Sequence, residues 1–239
     1  MSQAVRAIKD TQEVQIPSGE INITGELNIP WNAAGVVLFA HGSGSSRHSP
    51  RNQFVARTIR TAGVGTLLFD LLTPDEEAID VYTGRLRFDI NLLAERLVNA
   101  TYWLKGEFDL RAGYFGASTG AAAALVAAAQ LGEIVGAVVS RGGRPDLAGD
   151  SLSLVKAPTL LIVGGLDYSV IDMNQRAYAR LRCEKEIEIV PGATHLFEEP
   201  GTLDHVALLA SEWFQTHLHS SRRSAKDQEM ADEYVEVKH

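Results

Sequence analysis

Cysteine is almost absent: Cys183 is the only one in 239 residues. No internal disulfide can form, and no Cys/His cluster has zinc-ligand spacing, so no metal is expected. Long apolar runs are missing too. The longest, residues 121–129, falls far short of the ~20 residues needed to span a bilayer. The first 12 residues lack the apolar stretch of a standard secretion signal, which makes the cytoplasm the expected location. Basic residues are outnumbered, 22 Lys+Arg against 30 Asp+Glu, for a formal net charge of −8. A chain of that sign is repelled by a phosphate backbone, so neither nucleic acid nor a membrane is an expected partner. Phosphate-cradling loops are absent as well. There is no G-K-[ST], and Gly113, Gly116 and Gly120 do not follow G-x-G-x-x-G.

What is present is a hydrophobic fraction of 45% on a length that suits one domain. That domain is expected over residues 12–218, with a polar, solvated tail over 219–239. Short apolar runs recur at 36–40, 66–69, 112–115, 135–139, 159–163 and 187–190. Most do not alternate, as expected of strands buried on both faces. Between them the period turns helical. Leu86, Ile90, Leu93, Leu97, Thr101 and Leu104 fall at steps of three and four, with Glu95 and Asn99 outward and Arg96 on the flank. Val55, Ile59 and Ala62, then Val170, Met173, Ala177 and Leu181, then Leu203, Val206, Ala210, Trp213 and His217 repeat the pattern. Strand–helix alternation predicts an α/β protein, a mostly parallel sheet with helices on both faces. Ahead of it, Val14 and Ile16, then Ile21, Ile23 and Leu27, alternate about Pro17-Ser18-Gly19 and predict an antiparallel hairpin at the sheet edge.

Open parallel sheets carry their sites where loops leave the carboxyl ends of the strands. One such loop is Gly116-Ala117-Ser118-Thr119-Gly120, between the run at 112–115 and the helix expected at 121–130. It fits G-x-S-x-G, a strained strand-to-helix turn that exposes a serine and demands small residues two positions either side. A serine nucleophile needs a base, and the base an orienting carboxylate. Asp167 follows the fifth run and His195 the sixth, on the same edge as Ser118. The order Ser118, Asp167, His195 is that of the α/β-hydrolases. Asp70 and Asp172 remain alternative carboxylates. Backbone amides suit an oxyanion because they need not reorganise as charge develops. The amides of Ser43, in the loop His41-Gly42-Ser43-Gly44, and of Thr119 are the candidates, with His41 supporting that loop. Arginines crowd the same edge: Arg47, Arg51, Arg85, Arg87, Arg141 and Arg144. They suit a carboxylate- or phosphate-bearing substrate. They also suit pairing with Asp75, Glu76, Glu77, Asp80 and Asp146 in the same loops. Arg141 and Arg144, with Arg47, are the candidates for binding substrate.

At residues 41–52, 69–77, 115–125 and 140–148, and at the Asp167 and His195 loops, the chain resembles the α/β-hydrolase superfamily. Within it, the chain is similar to the dienelactone hydrolase-like branch, whose bacterial members occur alone or fused to a phosphoribosyltransferase domain. The resemblance implies hydrolysis of an ester, lactone or thioester through an acyl-enzyme, without a cofactor, and a functional link to a phosphoribosyltransferase domain. One departure matters. Dienelactone hydrolases proper use a cysteine nucleophile, where position 118 here is serine and Cys183 is placed at the end of a helix far from it. Lactone specificity therefore does not come with the resemblance. The connection 140–158 has room for a short helix but no large lid, so an open site and a small or polar acyl substrate are expected. The expected partner is a small-molecule ester; a homodimer is compatible with the sequence but not specified by it. The competing readings are a non-catalytic ligand-binding or accessory module on the same fold, and acyl transfer by the same triad to an alcohol or amine.

Overall fold

Each of the six apolar runs is a strand, lengthened by at most two residues at either end. They are β3 (Gly35–Ala40), β4 (Gly65–Phe69), β5 (Arg111–Ala117), β6 (Val135–Arg141), β7 (Thr159–Gly164) and β8 (Lys185–Val190). The expected hairpin is β1 (Ile8–Ser18) with β2 (Ile21–Ile29). The computed structural model describes residues 8–218, so the tail expected at 219–239 lies outside the described residues. The strands form one sheet in the order β1-β2-β4-β3-β5-β6-β7-β8. Strands β3 to β8 run parallel, and the hairpin joins antiparallel through β2 against β4.

Helices cover both faces. On one side α1 (Pro50–Thr61) and α6 (Thr202–Leu218) bury Val37, Phe39, Phe115, Val139 and Ile162. On the other, α3 (Ile90–Glu107), α4 (Thr119–Leu131) and α5 (Tyr168–Arg180) cover Leu38, Ala112, Tyr114, Val138 and Leu161. Successive residues of one strand thus enter different cores, which is why these runs are apolar without alternation. In α4 only Ala129 and Gln130 escape full burial. A helix apolar all round belongs in the interior, and its alanines let it lie close to the sheet beside the serine turn.

Three details differ from the sequence pattern. The helix expected from Leu86 breaks at Asp89, whose carboxylate accepts from the Leu92 amide (3.0 Å) and caps α3 after a short 3₁₀ turn, Leu86–Phe88. Arg96 is buried, not flanking: it donates to Ser18 and to Glu76, tying the hairpin turn to the sheet's helical layer. The stretch after β4 is itself a helix, α2 (Pro74–Thr83), where loop was expected. Its start is a full capping box: Thr73 Oγ1 accepts from the Glu76 amide and Glu76 accepts from the Thr73 amide, with Pro74 in the first turn. Among the described residues no helix is long and apolar enough to cross a membrane.

Candidate active site

Ser118 sits between β5 and α4 with φ 50° and ψ −120°, a conformation that a side-chain-bearing residue holds only when its surroundings impose it. The two glycines show how they do so. A Cβ on Gly116 would lie 2.4 Å from Ala121 Cα, and one on Gly120 would lie 2.1 Å from the Ala40 carbonyl oxygen. Only hydrogen fits at either place. The next loop straps the turn from outside, since the Ser118 amide donates to the Arg141 carbonyl (3.3 Å) and the Ser118 carbonyl accepts from the Arg144 amide (3.0 Å).

Asp167 and His195 meet: Asp167 Oδ2 lies 2.6 Å from His195 Nδ1, with the carboxylate largely buried and the imidazole more open. That bond leaves Nε2 as the ring nitrogen free to face a substrate. The alternative carboxylates are engaged elsewhere. Asp70 holds the backbone amide and guanidinium of Arg47, and Asp172 pairs with Arg176 on the exposed face of α5. Among the described residues no hydrogen bond joins Ser118 to His195, and such bonds are often loose before substrate binds.

The loop after β3 is pinned by His41. Its Nδ1–H donates to the Gly42 carbonyl (3.1 Å) and its Nε2 accepts from the Leu71 amide (3.0 Å). Burial pushes its pKa below the usual histidine value, against smaller upward pulls from the Gly42 carbonyl, Asp70 and Glu77. A histidine kept neutral by the fold is protonated more readily in the unfolded chain. Its contribution to stability is therefore complete above the unfolded value and lost as pH falls below it. Between about pH 7 and about pH 5 the melting temperature should fall more steeply for the wild type than for His41→Gln. Parallel melting curves would mean that His41 is not a proton-sensitive brace. The Ser43 amide does not point into open space: it donates to Thr119 Oγ1 (3.0 Å).

Beside these groups lies a cavity of about 450 Å³ that the sequence did not disclose. Its lining brings together Ser43, Gly44 and Thr119 with Leu71, Leu72 and Val81. Much of the lining comes from α2, which the apolar periodicity does not reveal; the Thr73-Pro74-Asp75-Glu76 signature is the available signal. Asp80 is among the lining residues. Burial alone would raise this carboxyl, but Arg87 and the Leu86 and Arg87 amides hold it below the usual carboxylate range.

Of the three arginines expected to bind substrate, two are occupied. Arg47 pairs with Asp70, and Arg144 forms a two-pronged pair with Asp146 (2.9 and 2.8 Å). Arg51 and Arg87 are likewise paired, with Glu198 and Asp80. Arg141 is different. It is buried beside the Phe197 ring (5.8 Å), its Nε and Nη1 have no hydrogen-bond partner among the described residues, and burial with the nearby Arg51 charge lowers its pKa to about 10. Cys183 lies beyond the end of α5, its sulfur 3.7 Å from Thr159 at the start of β7, at the opposite end of the sheet from Ser118. Among the described residues no group of three or more His, Cys, Asp or Glu side chains is placed to hold a metal ion.

The strand order, the helices on both faces and the serine turn between β5 and α4 are those of an α/β-hydrolase. A solved dienelactone hydrolase from Anabaena variabilis is 59% identical, matching 87% of this chain and 98% of its own, with a TM-score of 0.86. The chain belongs to the dienelactone hydrolase family. The esterase Est1E from Butyrivibrio proteoclasticus, 15% identical with a TM-score of 0.73 over 87% of this chain and 99% of its own, shares the fold. Two curated Mycobacterium tuberculosis proteins, from different strains and both named phosphoribosyl transferase, are 58% identical over 210 residues, 87% of this chain. The chain spans 46% of their length. No family model matches the chain.

Proposed function

We propose that the protein is a serine ester hydrolase acting through an acyl-enzyme. Ser118 is the nucleophile, His195 the general base and then acid, and Asp167 the carboxylate that orients the imidazole. The observation that carries the reading is the 2.6 Å Asp167–His195 contact on the strand edge that also presents Ser118 at a positive-φ turn. Membership of a hydrolase family supports it. In the first step Ser118 Oγ bonds to the ester carbonyl carbon, its proton passes to His195 Nε2, and the carbonyl electron pair moves onto oxygen. Collapse expels the alkoxide, which takes the proton from His195, and water repeats the sequence to release the acid. The Thr119 amide is one donor to the oxyanion; the Ser43 amide, the other expected donor, is held by Thr119 Oγ1. Hydrolysis is preferred to acyl transfer because the connection after β6 forms only a short 3₁₀ segment, Pro145–Leu154, and leaves Ser118 and His195 open to water.

The cavity beside Ser43 and Thr119 fits a small, mainly apolar acyl group. An anionic group on the substrate falls to Arg141, since Arg47 and Arg144 already hold carboxylates. The link to a phosphoribosyltransferase domain rests on the name and greater length of the M. tuberculosis relatives. The test is a fluorophosphonate probe followed by a panel of neutral and carboxylate-bearing p-nitrophenyl esters. Covalent modification of Ser118 and turnover of short esters are expected, and an unlabelled, inactive protein would favour a ligand-binding module. In Arg141→Met, kcat/KM for the carboxylate-bearing esters should fall by roughly 10–150-fold relative to the neutral ones, the worth of one charge-assisted contact. Equal losses on both, with a lower melting temperature, would make Arg141 a brace for the His195 loop.

A further inference from the structure

The occupied Ser43 amide is the least expected feature of the site. A donor that should await an oxyanion is instead spent on Thr119 Oγ1, at 3.0 Å. Thr119 is only 3% exposed, and it lines the cavity together with Ser43 and Gly44. Among the described residues nothing accepts the proton of the Thr119 hydroxyl. A buried hydroxyl that receives a hydrogen bond and has no acceptor of its own has a proton left to donate, and the cavity that Thr119 lines is where an acceptor can reach it. The amide of the same residue, next in the chain to Ser118, is already a candidate oxyanion donor, so one residue carries two donors beside the proposed nucleophile.

We propose that the Thr119 side chain is a catalytic donor in its own right. The Ser43 amide polarises the Thr119 hydroxyl, and the hydroxyl donates to the oxygen that becomes negative when Ser118 adds to the ester. A chain in which one donor feeds the next strengthens each bond as charge grows at its end. The second hydrogen bond to the oxyanion thus comes from Ser43 by way of Thr119 instead of directly. No proton is transferred along this chain; it goes from Ser118 to His195 as before. The inference rests on the hydrolase reading and adds to it a side chain that the general pattern of two backbone amides leaves out.

The deciding comparison is Thr119→Val against Thr119→Ser. Valine keeps the shape and the amide but removes the hydroxyl; serine keeps both donors. Thr119→Val should lose about 10²–10³ in kcat, the usual effect of deleting one oxyanion donor, with KM changed by less than about threefold. Thr119→Ser should stay within about fivefold of wild type. A trifluoromethyl ketone analogue of a good ester should bind the valine variant weakly, while the parent ester's acid product binds it unchanged. Loss of fold alone would move both ligands together. If Thr119→Val does not fold, Thr119→Ala must show the same split between ketone and product. Wild-type or faster turnover in the folded valine variant would overturn the proposal, because it would mean that the hydroxyl only parks the Ser43 amide until substrate displaces it. Failure of the underlying reading looks different: the fluorophosphonate would then leave Ser118 unmodified in the wild type.

Discussion

Ser118→Ala should lose about 10⁴–10⁶ in kcat, leaving the residual rate that binding and oxyanion donors support without a nucleophile. The expectation is this large because the hydroxyl is the attacking atom in the proposed mechanism. Cys183 is at the far end of the sheet, and burial pushes its thiol pKa up, away from reactivity. The fold should survive, since both Ser118 backbone hydrogen bonds to the Arg141–Arg144 loop are main-chain contacts. Alanine keeps the Cβ that the turn already accommodates, so the melting temperature should shift little. The measurement is kcat with a short neutral ester, alongside a melting curve. Retention of more than about a tenth of wild-type turnover would remove Ser118 from the mechanism.

Asp167→Asn should cost about 10⁴ in kcat with little change in KM. The carboxylate accepts the Nδ1 proton of His195 and so fixes which ring nitrogen is free to act. An amide side chain can turn its NH₂ toward the ring, which then presents the wrong tautomer. In the proposed mechanism the carboxylate also offsets the positive charge that the imidazole takes on during the reaction. Local structure should hold, because the Asp167 amide donates to the Gly164 carbonyl (3.0 Å) and the Asp167 carbonyl starts α5 by accepting from Val170 and Ile171. Asp70→Asn is the contrasting variant. It breaks the Arg47 pair, so it should disturb stability more than the chemical step. A loss below about tenfold in Asp167→Asn, or a larger one in Asp70→Asn, would reassign the carboxylate.

The sheet was legible in the sequence because both its faces are covered. Val36 to Ala40 or Val135 to Val139 can be nothing but interior strand, and a strand buried on both sides has no polar register to confuse the pattern. The serine turn was legible for a steric reason: where a Cβ would strike backbone at 2.1 or 2.4 Å, only glycine can stand. What sequence could not order were contacts that depend on which side chain reaches first. Asp70 and Asp167 follow strand ends and Asp172 lies in the helix after β7; Arg47 and Arg176 hold Asp70 and Asp172, and Asp167 meets His195. The arginines were ambiguous for the same reason. Arg141 and Arg144 are three residues apart, yet one lies against Asp146 and the other is buried without a carboxylate. Thr119 was read for its amide alone, because its hydroxyl acquires a partner only when the loop after β3 folds over it. The pocket was invisible for a different cause. Its wall, α2, has only ten residues and keeps Ile79, Val81 and Tyr82 exposed, so it carries no buried apolar stripe by which periodicity could reveal it.

That separation of wall from chemistry bears on how this enzyme can change over time. The groups proposed to react stand at the ends of β5, β7 and β8, locked into a sheet buried from both sides, where almost any substitution is felt throughout the core. The pocket wall hangs outside that sheet on one short helix, held by its capping box, the Arg87–Asp80 pair and the Arg96–Glu76 pair. Residues such as Leu72, Ala78 and Val81 line the cavity from this helix and the turn before it, and none is threaded through the catalytic strands. If the cavity holds the acyl group as proposed, selection for a new one can rewrite that segment without touching Ser118, so descendants of one ancestor can diverge in diet while keeping one reaction.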